Sequence, residues 1–192
     1  MNWLVFAIFA YVVVAIENGL DQVLAIQHVS PGFVWILAGF VAMCAPPGIV
    51  PWALLALGLL ADLTAPFQTV ELLDMPLIGP NCLGYLAGSY VCLQMRGMVA
   101  RESPVALGVL VFTGGLFARL VPVALITLRG LPLLHTDPVL PWSAADELVR
   151  AFLGLLYTTL AALPVGYVLL LTVGLWRFAP GARGLGRARR SA

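Results

Sequence analysis

Chemistry in this chain can come only from a short set of side chains: 9 acids, 10 arginines, 2 histidines and 3 cysteines in 192 positions. Near the end of an apolar N-terminal stretch, Glu17, Asp21 and His28 fall on one face at about 100° per residue, with Asn18 and Gln22 alongside and Leu20, Val23 and Leu24 opposite. Such a face suits either a solvated surface at a membrane edge or the wall of a polar cleft. Asp62 closes the apolar run "ALLALGLLADL", and Arg119 sits well inside "VLVFTGGLFARLVPVALITL". A charge in such a place is costly in lipid unless it is paired, reaches the edge or serves a function. Enzymatic constellations are not visible. His28 and His135 have no HExxH or cysteine spacing around them, and no serine elbow, phosphate-cradling glycine loop or duplicated transporter half is seen. No catalytic residue, metal site or cofactor is expected. Cys44, Cys82 and Cys92 lie in or beside apolar stretches and read as small packing residues.

The elements that must position these residues follow from composition. The chain is 61% hydrophobic and 10% charged, with a mean hydropathy of +1.01. Soluble domains carry about 25% charged residues, so lipid is the expected solvent. The fold class expected is an all-α integral membrane protein of about six transmembrane helices, each taking roughly 20 apolar residues where it spans fully. The first covers about Trp3–Ile16 and continues as helix through "ENGLDQVLAIQH". The next cover about Pro31–Ala45, closed by Pro46, Pro47 and Gly48, then Ile49–Asp62, Leu77–Met95 and Pro104–Leu128. The last runs over about Leu148–Trp176; Ser143 precedes it as a cap, with Asp146 and Glu147 in the first turn at the positive end of the dipole. It is longer than one span needs, so it either projects or bends near Pro164, and Trp176 and Arg177 mark its exit at an interface. A five-span reading would lose one short helix.

Residues 1–177 form one transmembrane domain on this reading, and 178–192 a basic, disordered tail carrying Arg183, Arg187, Arg189 and Arg190. All basic residues are arginine, which reflects codon usage more than chemistry. The tail and the loop holding Arg96 and Arg101 fall on one side, which the positive-inside rule makes the cytoplasm, with both termini there. The N-terminus reads as a retained span, since it lacks a positively charged n-region. Arg119, 15 residues beyond Pro104, then lies in the outer half with Asp62 and Glu17, and a pairing of Arg119 with one of these acids is expected. In the fourth helix Pro80, Gly84, Gly88 and Cys92 recur every fourth residue. They make a ridge on which helices approach closely, within the bundle or from a partner.

"ALLALGLLADL" followed by "PLIGPNCLGYLAGSYVCLQMR" resembles the rod shape-determining MreD family. The matching positions are Gly58, Asp62, Leu63, Gly79, Asn81, Gly84, Tyr85, Gly88 and Arg96, with Pro31 opening the second span. The loop "TAPFQTVELLDMP" is longer than the family norm, and the last helix and tail are unmatched in detail. The resemblance implies a non-enzymatic inner-membrane component of the bacterial wall-elongation machinery. Its implied partners are a bitopic MreC-like protein, the MreB-type filament, wall-synthesis enzymes and the bilayer, with no nucleic acid. It also implies a fold similar to the S-components of energy-coupling-factor vitamin transporters, which supplies a rival reading: a substrate-binding subunit holding a vitamin-like molecule with Glu17, Asp21, Asn81 or Arg119. Against the rival, the first helix lacks a small-residue docking ridge, having Ala7 and Ala10 amid bulky residues. Asp62 is expected either to accept backbone N–H bonds near Gly79–Asn81, ordering the start of the fourth helix, or to pair with Arg119.

Overall fold

The computed structural model describes residues 1–25, 29–64, 67–68, 74–75, 79–98, 103–129, 143–176 and 178; at positions 21, 22, 67, 68, 74, 75 and 129 it describes the backbone alone. The order is α1 (Trp3–Leu24), α2 (Phe33–Cys44), α3 (Val50–Thr64), β1 (Phe67–Gln68), β2 (Asp74–Met75), α4 (Pro80–Met95), α5 (Pro104–Arg129), α6 (Ala144–Leu171) and a 3-10 turn, Val173–Trp176. The two short strands pair antiparallel, Phe67 opposite Met75.

Helix starts follow local chemistry. Asn2 Oδ1 accepts the Leu4 N–H at 3.1 Å, and Ser143 Oγ accepts the Asp146 N–H at 3.4 Å. The fourth helix begins at Pro80 and not at Leu77. Gly79 has φ 133°, a left-handed conformation that suits glycine, and Pro80 next to it is pre-set for the first helical position. Asp62 does not end α3, which runs two residues further to Thr64. Pro164 lies within α6 without ending it.

The second helix is the axis of the molecule. It packs against α1, α3, α4, α5 and α6, and every residue from Val34 to Met43 is buried. A helix apolar on all sides belongs in a core. Around it α3 packs on α4, α4 on α5 and α5 on α6, while α1 packs on α2 and on the 3-10 turn. Trp176, expected at an interface, is instead fully buried. The 3-10 turn folds it back among Phe9, Phe40 and Phe178, and its Nε1–H donates to Thr172 Oγ1 at 3.1 Å. Phe178, the first residue assigned to the tail, packs with this cluster; 179–192 lie outside the described residues.

Among the described residues 3 helices are long and apolar enough to cross a membrane, over Trp3–Leu20, Pro104–Leu128 and Ala144–Leu171. The chain thus has the character of an all-α membrane protein. The 12 residues of α2 and 15 of α3 make shorter apolar helices, about 18 and 22 Å long at ~1.5 Å per residue. Against an apolar layer of about 30 Å they are too short to span alone.

Candidate functional site

The polar groups of the interior gather where α1, α3 and α5 carry Glu17, Asp62 and Arg119 toward the starts of α2 and α4. A helix start leaves its first N–H groups without partners, and burying them is costly. Asp62, with 0% exposure, answers this for α4. Its Oδ2 accepts the N–H of Gly79 at 2.8 Å and of Cys82 at 3.2 Å, and its Oδ1 that of Asn81 at 3.0 Å. A carboxylate at a helix N-terminus also meets the positive end of the dipole. Of the two expected roles, this geometry is the first: Asp62 clasps α3 to α4. Gly58, one helical turn earlier, lets them touch; a Cβ there would lie 2.8 Å from Cys82 Cα and 3.0 Å from the Asn81 carbonyl.

The start of α2 is capped from two other helices. Its N-cap, Gly32, offers no side chain. Glu17 Oε2 accepts the Val34 N–H at 2.7 Å, and Thr158 Oγ1 accepts the Gly32 N–H at 2.9 Å while donating to the Gly154 carbonyl at 2.6 Å. Arg119 extends to the same place, its Nη2 lying 3.4 Å from where a Cβ on Gly32 would sit.

A pocket of about 300 Å³ lies here, bounded by α1 through α5. Its polar lining is Glu17, Asn18, Thr64, Asn81, Tyr85 and Arg119, and its apolar wall includes Val14, Trp35 and Ala61. Tyr85 meets Trp35 edge-on with ring centroids 4.8 Å apart, and Trp35 Nε1–H donates to the Val111 carbonyl at 2.8 Å. Glu17 and Arg119 therefore share one cavity, while the Asp62 oxygens are turned to α4.

No protein-family model, curated protein or solved structure matches this chain.

The small-residue ridge of α4 faces α5. A Cβ on Gly84 would collide with the Ala118 carbonyl oxygen, and one on Gly88 would lie 2.8 Å from the Gly114 carbonyl. Cys92 continues the ridge, buried, with Sγ 3.5 Å from the Leu110 carbonyl it donates to. Leu63, by contrast, is 54% exposed and points out of the bundle. At the opposite end Arg96 donates to the carbonyls of Ala42, at 3.4 Å, and Ala45, at 2.5 Å, closing the C-terminus of α2. Asp21 lies in the last turn of α1 with its side chain outside the described residues, as do His28, Glu71, Arg101, His135 and Arg177; of Asp74 only the backbone is described. Thr158 and Trp35 were not singled out by sequence. A threonine in an apolar helix ordinarily bonds back to its own turn, and a tryptophan there reads as packing, so neither carries a signal.

Proposed function

We propose that this chain is a multi-pass membrane scaffold of the MreD type, a non-enzymatic part of the inner-membrane machinery that elongates the bacterial cell wall. One observation carries the reading. The residues of the resemblance, from Gly58 and Asp62 through Gly79 and Asn81 to Gly84 and Gly88, act together on one α3–α4–α5 unit: the clasp sets the start of α4, and the ridge seats α4 on α5. A motif spent on rigidity suits a protein whose task is to present a fixed surface to other membrane proteins. On this reading six helices lie in the bilayer, the short α2 being enclosed by the rest, and both termini are cytoplasmic. A bitopic MreC-like protein is the proposed direct partner, with the MreB-type filament and wall-synthesis enzymes beyond it.

The pocket favours a second reading, the substrate-binding S-component of a vitamin transporter, because it is concave with a few converging polar groups. Co-purification from the native membrane in mild detergent, followed by mass spectrometry, separates the two. Recovery of a bitopic protein with wall-synthesis enzymes supports the scaffold. Recovery of ATPase and coupling subunits replaces it with the transporter.

A further inference from the structure

We propose that residues 179–192 bind the phosphates of anionic lipids and so tether the end of α6 to an anionic bilayer surface. The segment, "APGARGLGRARRSA", lies outside the described residues; its sequence holds Arg183, Arg187, Arg189 and Arg190 and no acid. No acid occurs anywhere after Glu147. Leu185 is its one large apolar residue, so the energy of its contacts must come chiefly from charge. An arginine guanidinium matches phosphate with paired N–H donors, and each basic residue beside an anionic leaflet adds about a five-fold gain in binding.

The fold fixes where this charge begins. The 3-10 turn Val173–Trp176 buries Trp176, and Phe178 stacks on it with ring centroids 5.7 Å apart and meets Phe40 at 6.2 Å. The Asn2 N–H donates to the Trp176 carbonyl at 3.0 Å, so the start of α1 holds the same point. Phe40 lies in the C-terminal half of α2, the end that Arg96 closes. The segment therefore leaves from one end of a helix, α6, that is long and apolar enough to cross a membrane. Arg190 is 12 residues beyond Phe178, about 40 Å when fully extended, which confines all of these arginines to the neighbourhood of one bilayer surface. The acids whose side chains are described stand elsewhere. Glu17 serves the start of α2, Asp62 the start of α4, and Asp146 and Glu147 lie in the first turn of α6, about 40 Å of helix from Leu171. The segment joining α4 to α5 adds Arg101 and Glu102, which cancel. Lipid phosphates are within reach as soon as α6 is inserted, whereas an acidic protein or a nucleic acid must be captured from solution, so effective concentration favours the bilayer. The inference needs only that α6 crosses the membrane, and it holds under either reading of the function.

The test uses the full chain in nanodiscs of phosphatidylcholine alone or mixed equally with phosphatidylglycerol. A spin label is placed on Ser191→Cys after Cys44, Cys82 and Cys92 are changed to alanine. The label should be mobile on the zwitterionic bilayer and immobilised on the anionic one. Immobilisation should vanish in about 1 M salt, where the screening length falls to about 3 Å. It should also vanish when Arg183, Arg187, Arg189 and Arg190 are all changed to glutamine. A second measurement needs no cysteine changes. In native mass spectrometry the parent chain in detergent should bind dihexanoyl phosphatidylglycerol at least about ten-fold more tightly than the four-glutamine chain, with phosphatidylcholine binding alike in both. A DNA duplex or polyglutamate added at the concentration of the nanodiscs should leave the label immobilised; release by either names a soluble polyanion as the target and overturns the proposal. Equal mobility on both bilayers, immobilisation that ignores salt, or phosphatidylglycerol binding unchanged in the four-glutamine chain overturns it as well.

Discussion

Replacing Asp62 by Asn removes one charge and one acceptor from a place with no access to water. Two of the three N–H groups that Asp62 receives converge on Oδ2 and the third on Oδ1. An asparagine can offer its carbonyl to one of these sets only, and its NH2 then faces the other donors. At least one buried N–H is orphaned, at a cost of about 1–3 kcal/mol. Buried polar contacts in membrane proteins run lower, near 0.6 kcal/mol each on average, so about 0.6–2 kcal/mol is expected for Asp62→Asn. Asp62→Ala, which orphans all three donors, should lose about 2–4 kcal/mol. The assay is reversible unfolding in mixed micelles, followed by circular dichroism as denaturing detergent is titrated. A double-mutant cycle with Arg119→Gln completes it. Because Asp62 is turned to α4, the coupling should stay below about 0.5 kcal/mol. An Asp62→Asn protein within about 0.5 kcal/mol of the parent, or a coupling above about 1 kcal/mol, refutes the clasp as described.

The ridge gives a paired comparison by thermal unfolding. Gly84→Ala should destabilise by about 1–3 kcal/mol through overpacking on Ala118 and Pro122, whereas Gly97→Ala, with nothing within 4 Å of the new methyl, should change little. Arg96→Ala should cost about 1–3 kcal/mol by opening the end of α2, with partial recovery in Arg96→Lys, measured by the same titration. Trp35→Phe should lose about 1 kcal/mol by removing the indole hydrogen bond to the Val111 carbonyl, and its altered near-ultraviolet dichroism reports the change.

Hydropathy showed the helices and most of their limits, because long apolar runs between prolines and glycines have few other solutions. It did not show which helix is central. A 12-residue apolar run reads alike whether lipid or protein surrounds it, and only the surrounding helices settle that α2 is enclosed. Asp62 was legible as a residue with a task, since a carboxylate ending a greasy run is expensive; choosing backbone amides over Arg119 needed the left-handed turn at Gly79 to be seen in place. Glu17 was legible only as part of a polar face. Its bond to Val34 joins positions 17 residues apart on two different helices, and no periodicity encodes that. Trp176 misled because tryptophan at a helix end usually marks an interface, and the 3-10 turn that returns it to the core leaves no pattern.

The clasp also bears on how such a chain enters a membrane. Until residues 79–82 have been synthesised, Asp62 has none of its three donors, and α3 is a 15-residue segment carrying a bare acid. A charged side chain raises the insertion cost by about 2.5–3.5 kcal/mol at a helix centre and by less near the end where Asp62 stands, and a segment this short has little apolar surface to offset it. The fourth helix brings the amides that neutralise that cost. If the six-helix reading proposed above holds, residues 50–64 should therefore wait at the translocon for residues 80–95, and the two should cross as a hairpin whose lock is already in it.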